Sequence, residues 1–337
     1  MKLLFIGGTG LISSACAELA ARRGHDVTLL NRSISKKYPV PNGARQIIAD
    51  VQVPLEELAL LLSGYRFDAV VDFIAFTVDD IERDLALFRG KTGQYVFISS
   101  ASAYQKPPKN YLVTEQTPLE NPYWQYSRDK IACEARLMEA FREEGFPVTI
   151  IRPSLTYGPT QIPFCVGSWA HPWTVIDRMQ RGCKIIVPGD GTSLWVLTWN
   201  ADFAKGLVGV LGKPEAIGEA FQITSDEVLT WDQIYLEAFN ALGLEPSILH
   251  VPSDLIAAYW PHAQGSLVGD KIHSIVFDDS KIKRLVPDFD CEVDWAHGLR
   301  LALAWHQSHP GFQTLDGPLD RIMDDIVLAY ESALPHA

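Results

Sequence analysis

Basic residues are scarce in this 337-residue chain. Lys and Arg total 29 against 41 Asp and Glu, a formal net charge of −12. Nucleic-acid affinity grows from clustered cations, so this balance argues against phosphate-backbone binding as the main activity. Cysteine is sparse and unpatterned: Cys16, Cys133, Cys165, Cys183 and Cys291 are odd in number and never spaced C-x-x-C. That argues against a disulfide framework or a zinc site and fits a reducing cytoplasm. His306 and His309 stand three apart but have no carboxylate or third ligand at metal spacing, so no metal site is expected. No apolar run approaches the ~18 residues a membrane helix needs. The apolar start, four residues before glycine, reads as a strand and not as a signal peptide. Internal repeats and low-complexity tracts are absent.

What is present is an ordinary globular balance, 47% hydrophobic and 21% charged, with enough length for one large domain or a domain with a smaller cap. The first half alternates strands and helices. Leu3–Ile6, Val27–Leu30, Gln46–Ala49, Ala69–Ile74, Tyr95–Ile98 and Val148–Ile151 read as strands. Leu11–Arg23, ended by Gly24, and Leu55–Leu62 read as helices, as does a third through Phe88 behind Thr77-x-x-Asp80, a capping box with Asp for Glu. A fourth runs over roughly Tyr123–Glu144 and stops at Gly145. Alternation of this kind predicts an α/β fold: a doubly wound parallel Rossmann-type sheet with right-handed crossovers. After Pro153 loops lengthen and tryptophans accumulate. The division expected is a nucleotide-binding domain over 1–155, to which roughly 198–228 returns through a strand at Ala220–Thr224. A smaller C-terminal substrate lobe comprises 156–197 and 229–337.

Gly7, Gly10 and Ser13 follow the first strand as G-x-x-G-x-x-S. Gly7 permits a tight turn, and Gly10 lets the backbone approach a dinucleotide pyrophosphate. Position 13 requires only a small residue, and the amides opening the next helix, at Leu11 and Ile12, face the anion. The bland alternative is a glycine-rich turn of an unrelated α/β protein. Beyond the second strand stand Asn31 and Arg32, where an acidic residue would hold the adenosine ribose and repel a 2′-phosphate. Asn31 removes that repulsion, and Arg32 could pair with a phosphate, which favours NADP(H) over NAD(H); Arg32 could equally be a solvated loop residue. Asp50, with Val51 beside it, could meet the adenine amine or simply start a loop.

Tyr126 and Lys130 lie one helical turn apart on one face. Tyrosine in water has a pKa near 10, too high for a base at neutral pH. A neighbouring ammonium and an oxidised nicotinamide would both stabilise the phenolate. Tyr126 could then exchange the proton of a substrate hydroxyl while hydride moves at carbon, with Lys130 holding the nicotinamide ribose. Ser99-Ser100-Ala101-Ser102 follows Ile98 at the end of the fifth strand, where ligands of such sheets bind. Ser100 would donate to the substrate oxygen, with Ser99 and Ser102 as competing candidates and helix capping as the plain alternative.

With these residues in place, the chain resembles the extended short-chain dehydrogenases/reductases, the NAD-dependent epimerase/dehydratase group, over about residues 2–290. The resemblance rests on Gly7-Gly8-Thr9-Gly10-Leu11-Ile12, on Ser99 to Tyr104, on Tyr126 with Lys130, and on Arg152-Pro153 with Tyr157-Gly158-Pro159. Gly189-Asp190-Gly191 and Ser280-Lys281 are weaker matches. It implies an NAD or NADP cofactor, leaning toward a retained NAD where Asn31 and Arg32 lean toward an exchangeable NADP(H), and a catalytic set of Ser100, Tyr126 and Lys130. Phe73, Ile74 and Ala75 would line the cofactor, with Ile98 counted beside them and Pro153 near the nicotinamide amide. It further implies a small-molecule substrate, a sugar or sugar-like alcohol or ketone, and a homodimer formed through the Tyr126 helix and the helix before it. Some relatives have taken nucleotide-sensing or RNA-associated roles, the reading from another class.

Three positions depart from the family pattern. Ser13 replaces the common third glycine, and Asn31 the common acid. After Gly-Asp-Gly, Trp195 stands where nucleotide-sugar enzymes tend to carry a phosphate-holding arginine. Tryptophan cannot pair with a pyrophosphate but can stack on a sugar face or apolar ring. A nucleotide-linked sugar is therefore not the expected substrate. Trp195 and Trp169 are the tryptophans expected to line the pocket, with Ser102; the others are expected to be packing residues.

Overall fold

The computed structural model describes residues 1–34 and 37–334. Its centre is a sheet of seven parallel strands: β1 (Lys2–Ile6), β2 (Asp26–Asn31), β3 (Arg45–Ile48), β4 (Ala69–Asp72), β5 (Tyr95–Ile98), β6 (Val148–Pro153) and β7 (Ala220–Ile223). Their order is β7-β6-β5-β4-β1-β2-β3. The residues of β4, β5 and β6 are all buried, as continuous apolar runs covered on both faces should be. The chain winds outward from β1 through β3, then crosses back to β4. This reversal between β1 and β4 opens a crevice at the carboxyl ends of the strands. Register sets what faces it: Ile6 lies level with Leu30 and Asp72, so Gly7 and Phe73 leave the sheet beside Asn31, the last residue of β2.

Helix α1 (Leu11–Arg22) and the helix Asn200–Val210 cover one face of the sheet, around Leu3, Phe5, Val71, Val96 and Phe203. On the other face, α2 (Leu55–Leu61), α3 (Val78–Phe88) and α4 (Gln125–Glu144) enclose Leu4, Ile6, Phe97, Leu137 and Ile150. The Thr77 hydroxyl accepts from the Asp80 amide while the Asp80 carboxylate accepts from the Thr77 amide, closing the capping box. Gly145 ends α4 in the left-handed conformation, φ +71°. The helix opens two residues later than its sequence suggests. Asn121 Oδ1 accepts from the amides of Tyr123 and Trp124, which holds those residues in a turn.

A third core cluster, built by residues from Ala101 to Ile326, lies beyond the carboxyl ends of the strands. Trp173, Trp199, Trp231 and Trp295 are buried in it. His306 is buried against Trp173 and Trp305, and His309 stacks on Trp305, so the two histidines serve packing. Among the described residues no helix is long and apolar enough to cross a membrane.

Candidate active site

The glycine turn after β1 is tightly specified. Gly7 has φ +81°, and a Cβ there would sit 2.5 Å from Ile74 Cγ2; only glycine fits both demands. Ser13 does more than fill space. Its hydroxyl donates to the Gly7 carbonyl at 2.6 Å and accepts from the Gly10 amide at 2.8 Å, stapling the turn to the first turn of α1. The Gly10 N–H is thereby occupied, and the next amides, Leu11 and Ile12, carry no intrahelical partner by the geometry of a helix start. Asn200 Nδ2, at the start of the helix Asn200–Val210, donates to the Leu11 carbonyl. A Cβ on Gly158 would lie 2.7 Å from the Asn200 amide, which accounts for the glycine in Tyr157-Gly158-Pro159.

At the end of β2, Asn31 Oδ1 accepts from Gln46 Nε2 at 2.6 Å and from the Ser33 amide at 3.0 Å. Its Nδ2 is buried without a partner. A buried donor left unpaired is costly, and here it stands where a dinucleotide ribose would offer oxygen. Arg32 is exposed, 3.7 Å from Asp50, and Asp50 Oδ1 also accepts from the Gln52 amide. Val51 is buried beneath this turn. The tight glycine cradle, the open amides of α1 and the unpaired Asn31 amide fit a bound dinucleotide.

Past β4, Asp72 Oδ1 accepts from the amides of Ile74 and Ala75 at 2.6 and 2.8 Å. This fixes the Phe73-Ile74-Ala75 segment, and Ile74 packs beneath Gly7. The Ala75 carbonyl accepts from Lys130 Nζ at 2.7 Å, and the Ile98 carbonyl from the same ammonium at 2.8 Å. Lys130 thus ties α4 to the ends of β4 and β5. Its ammonium lies 4.5 Å from the Phe76 ring centre and 4.7 Å from that of Phe97. Burial pushes its pKa down to about 8.

Tyr126 stands one turn earlier, half-buried against Trp124 and Phe76. Burial raises its pKa, and a hydrogen bond with the Ser100 side chain pulls the other way. The sequence suggests a phenol acidified by its neighbouring lysine together with an oxidised nicotinamide. Among the groups of the chain itself, burial prevails over the Ser100 hydrogen bond. The Lys130 ammonium is 5.9 Å from the Tyr126 ring centre and spends its protons on backbone carbonyls.

The three serines are separated by their partners. Ser99 Oγ donates to Glu134 Oε1, and Ser102 Oγ is held between Ser100 Oγ at 2.9 Å and Ser127 Oγ at 2.8 Å. Ser100 is the one paired with Tyr126. Below them Arg152 donates to both Glu134 oxygens, at 3.0 and 2.6 Å, and to the Glu115 carbonyl. Burial alone would lower the Arg152 pKa; the Glu134 carboxylate more than reverses this. Tyr126, Lys130 and Glu134 follow at four-residue spacing along α4. Glu134 is the member that sequence reading missed, although the spacing offered it.

The serines, Tyr126 and Lys130 face a cavity of about 610 Å³. It brings together Ile12, Phe73, Ile98, Ser100, Ser102, Tyr126, Lys130 and Pro153 with Trp169 and Trp195 of the far lobe. Trp169 is 59% exposed at the rim, whereas Trp195 is buried and stacked on Trp231, 5.6 Å between ring centres. Gly7, Gly10, Leu11, Asn31, Arg32, Asp50 and Val51 lie outside it, in the turns after β1, β2 and β3. The wall also holds Phe76, Trp124, Phe164, Asp270 and Lys271, which carried no recognisable signal in the sequence, and Trp260, expected there only as a packing residue. Asn121 fastens this wall: its Nδ2 donates to the carbonyls of Ser102 and Gly269.

A nucleotide-binding sheet with its ligand crevice at the strand reversal defines the class, a Rossmann-type α/β protein. Residues 3–224 match the family model described as the NAD dependent epimerase/dehydratase family. The chain belongs to that family of NAD-dependent enzymes. Among curated proteins it is 28% identical over 261 residues to the chloroplast stem-loop binding protein of 41 kDa b of Arabidopsis thaliana. That match covers 74% of this chain and 65% of the plant protein, so the chain spans somewhat less than two thirds of that relative. It is 24% identical to a UDP-N-acetyl-alpha-D-glucosaminuronate decarboxylase of Bacillus cytotoxicus, covering 90% of this chain and 97% of the relative. Among solved structures, UDP-glucuronic acid 4-epimerase from Bacillus cereus superposes with a TM-score of 0.73 at 20% identity, covering 92% of this chain and all of the other. A dTDP-glucose 4,6-dehydratase from Streptomyces venezuelae gives 0.73 at 21% identity, covering 95% and 100%. At such identities these structures show the fold.

Proposed function

We propose that this chain is an NAD(P)-dependent oxidoreductase of epimerase or dehydratase type, acting at a secondary alcohol or ketone carbon of a sugar-like small molecule. The observation that carries the reading is the convergence of Ser100, Tyr126 and Lys130 on one cavity beside the ends of β4 and β5. The nicotinamide supplies hydride acceptance and donation. The Leu11 and Ile12 amides and Asn31 Nδ2 hold the dinucleotide, and Lys130 positions the nicotinamide ribose. Tyr126, protonated at neutral pH because burial raises its pKa, gives its phenolic proton to a carbonyl oxygen in the reducing direction. In the other direction it takes the hydroxyl proton back. Ser100 donates a hydrogen bond to the same oxygen. Residues 1–155 with 198–228 form the cofactor unit in this reading, and 156–197 with 229–337 the substrate lobe.

The decisive variant is Tyr126→Phe. It removes one oxygen, so turnover falls by at least 100-fold while dinucleotide affinity changes less than about threefold. Undiminished turnover refutes the acid–base assignment. Denaturing protein purified without added nucleotide separates the chemistries. Stoichiometric released NAD(H) or NADP(H) supports internal redox, as in an epimerase or dehydratase. An empty site that binds either reversibly supports external hydride transfer, as in a carbonyl reductase on a non-sugar substrate. A second reading, an RNA-associated protein on this fold, has one favouring observation, the name of the Arabidopsis relative. The net charge of −12 weighs against it. RNA binding that survives 0.2 M salt, without turnover of any carbonyl compound, supports it.

A further inference from the structure

The substrate end of the cavity has an unusual charge inventory for a fold whose solved neighbours include nucleotide-sugar enzymes. Five arginines occur after residue 160: Arg178, Arg181, Arg284, Arg300 and Arg321. None of them lines the cavity. Arg178 is buried on Asp320 and Asp324, Arg181 holds Asp177 and Asp320, and Arg300 lies 3.8 Å from Glu237. A pyrophosphate entering this space would bring two negative charges and find no guanidinium.

Aromatic rings line the wall instead: Phe76, Trp124, Phe164, Trp169, Trp195 and Trp260. One pair of charges interrupts them. Asp270 Oδ1 accepts from the fully buried Lys106 ammonium at 3.0 Å, which neutralises it. Lys271 is left over. Its side chain is 13% exposed, its ammonium is 3.9 Å from Asp270 Oδ2, too far for a hydrogen bond, and it lies 5.7 Å from the Trp124 ring centre. Counting Lys106, Asp270 and Lys271 as +1, −1 and +1, this end of the cavity carries one surplus positive charge, beside rings that stack on flat faces.

We infer that the substrate is an unphosphorylated cyclic alcohol or ketone bearing a single carboxylate, with the ring on the aromatic wall and the carboxylate on Lys271. The inference rests on the proposed role of Tyr126. Lys271 is then a specificity-determining residue: it selects one negative charge, and the missing arginines reject two or more.

The test uses the full chain loaded with its dinucleotide. Calorimetric titration and turnover are measured for glucuronate, galacturonate and quinate, for their methyl esters, and for UDP-glucose and dTDP-glucose. At least one carboxylate should bind tenfold or more tightly than its ester. Lys271→Met should reduce carboxylate affinity by at least tenfold, as expected for a lost charged hydrogen bond, while ester affinity moves less than threefold. A merely structural lysine would shift both equally. Equal affinity for carboxylate and ester, binding of no carboxylate at 10 mM, or Tyr126-dependent turnover of a nucleotide sugar overturns the inference. That last result leaves the oxidoreductase reading standing. Turnover of a carboxylate that Tyr126→Phe leaves intact would instead overturn the acid–base assignment.

Discussion

Glu134 and Arg152 form a buried, doubly hydrogen-bonded ion pair directly beneath the Ser99–Ser102 segment. Replacing Glu134 with Gln keeps the shape of the side chain and removes its charge. Arg152 cannot shed its proton to relieve the loss, because a guanidinium stays protonated throughout the ordinary pH range. An uncompensated buried charge costs about 3–5 kcal/mol. Unfolding entropy near 2.1 cal/mol/K per residue gives about 0.7 kcal/mol/K for a chain of 337 residues. The expected fall in Tm is therefore about 4–7 °C, read by calorimetry at neutral pH. Glu134 Oε1 also accepts from Ser99. The Gln oxygen can still accept there, but the unpaired Arg152 charge beneath the segment shifts Ser100, and kcat should drop by about 10- to 100-fold through misplacement alone.

Arg152→Met strands the carboxylate in the same way and should cost a similar amount. The double variant Glu134→Met/Arg152→Met removes both charges. It leaves only neutral groups short of partners: the Ser99 hydroxyl and the Glu115 carbonyl. It should therefore be destabilised by about 1–3 kcal/mol, far less than the sum of the single changes. Strict additivity of the single effects, or a Glu134→Gln loss below about 1 kcal/mol, would refute the assignment of this pair as a coupled buried unit.

Asn31→Asp keeps the acceptor used by Gln46 and Ser33 but replaces the unpaired Nδ2 with a negative oxygen. The kcat/KM ratio of NADPH to NADH should fall at least tenfold; an unchanged ratio removes Asn31 from the adenosine site. Gly7→Ala forces a Cβ against Ile74 at φ +81° and should weaken NADH binding by at least tenfold in a fluorescence titration, with about 2 kcal/mol lost in stability. Native affinity in that variant would mean the turn is not a phosphate cradle. Burial pushes the His306 pKa down to about 4, so the unfolded chain takes up this proton first as pH falls. The stability tied to neutral His306 is fully present above about pH 6.5 and is lost progressively towards pH 4, about 3 kcal/mol in all. His306→Phe should flatten the fall in urea midpoint across that window by the corresponding amount, and an identical pH profile in both proteins would refute it.

The parallel sheet was legible because its central strands are largely apolar runs too short for a helix and bounded by turn residues, and burial on both faces demands that composition; the edge strand β3, Arg-Gln-Ile-Ile, is not buried in this way. The glycine turn was legible because the positive φ at Gly7 is a local demand; the close approach of Ile74, from beyond β4, adds a second demand that no local pattern shows. Ser13 was readable only as small. That its hydroxyl would close the turn through Gly7 and Gly10 depends on how α1 enters, and no composition rule carries that. Tyr126 and Lys130 stood out by spacing, but the partners of Lys130 are two backbone carbonyls, whose positions follow from strand register and not from any motif. The choice among Ser99, Ser100 and Ser102 was open in the sequence. In the structure Glu134 and Ser127, both on α4, bond the hydroxyls of Ser99 and Ser102.

Beyond Pro153 the sequence lost its grip for a physical reason. The cavity wall is assembled from residues separated by more than a hundred positions, among them Trp124, Phe164 and Lys271, carried on turns and short helices with no shared period. Asn121 shows how they are joined: one side-chain amide bonds the Ser102 segment of the cofactor half to the Gly269 segment of the lobe. Asn200, in the segment that returns to the sheet, bonds the carbonyl of Leu11 and packs against Gly158 of the lobe. The acid–base groups and the substrate wall are thus fixed to each other by the buried bonds of Asn121. Changes in the lobe can alter which ring compound is held while these bonds keep Tyr126 and the glycine turn in place. Specificity and chemistry then reside in different parts of the chain, and only the part with short-range constraints is written locally in the sequence.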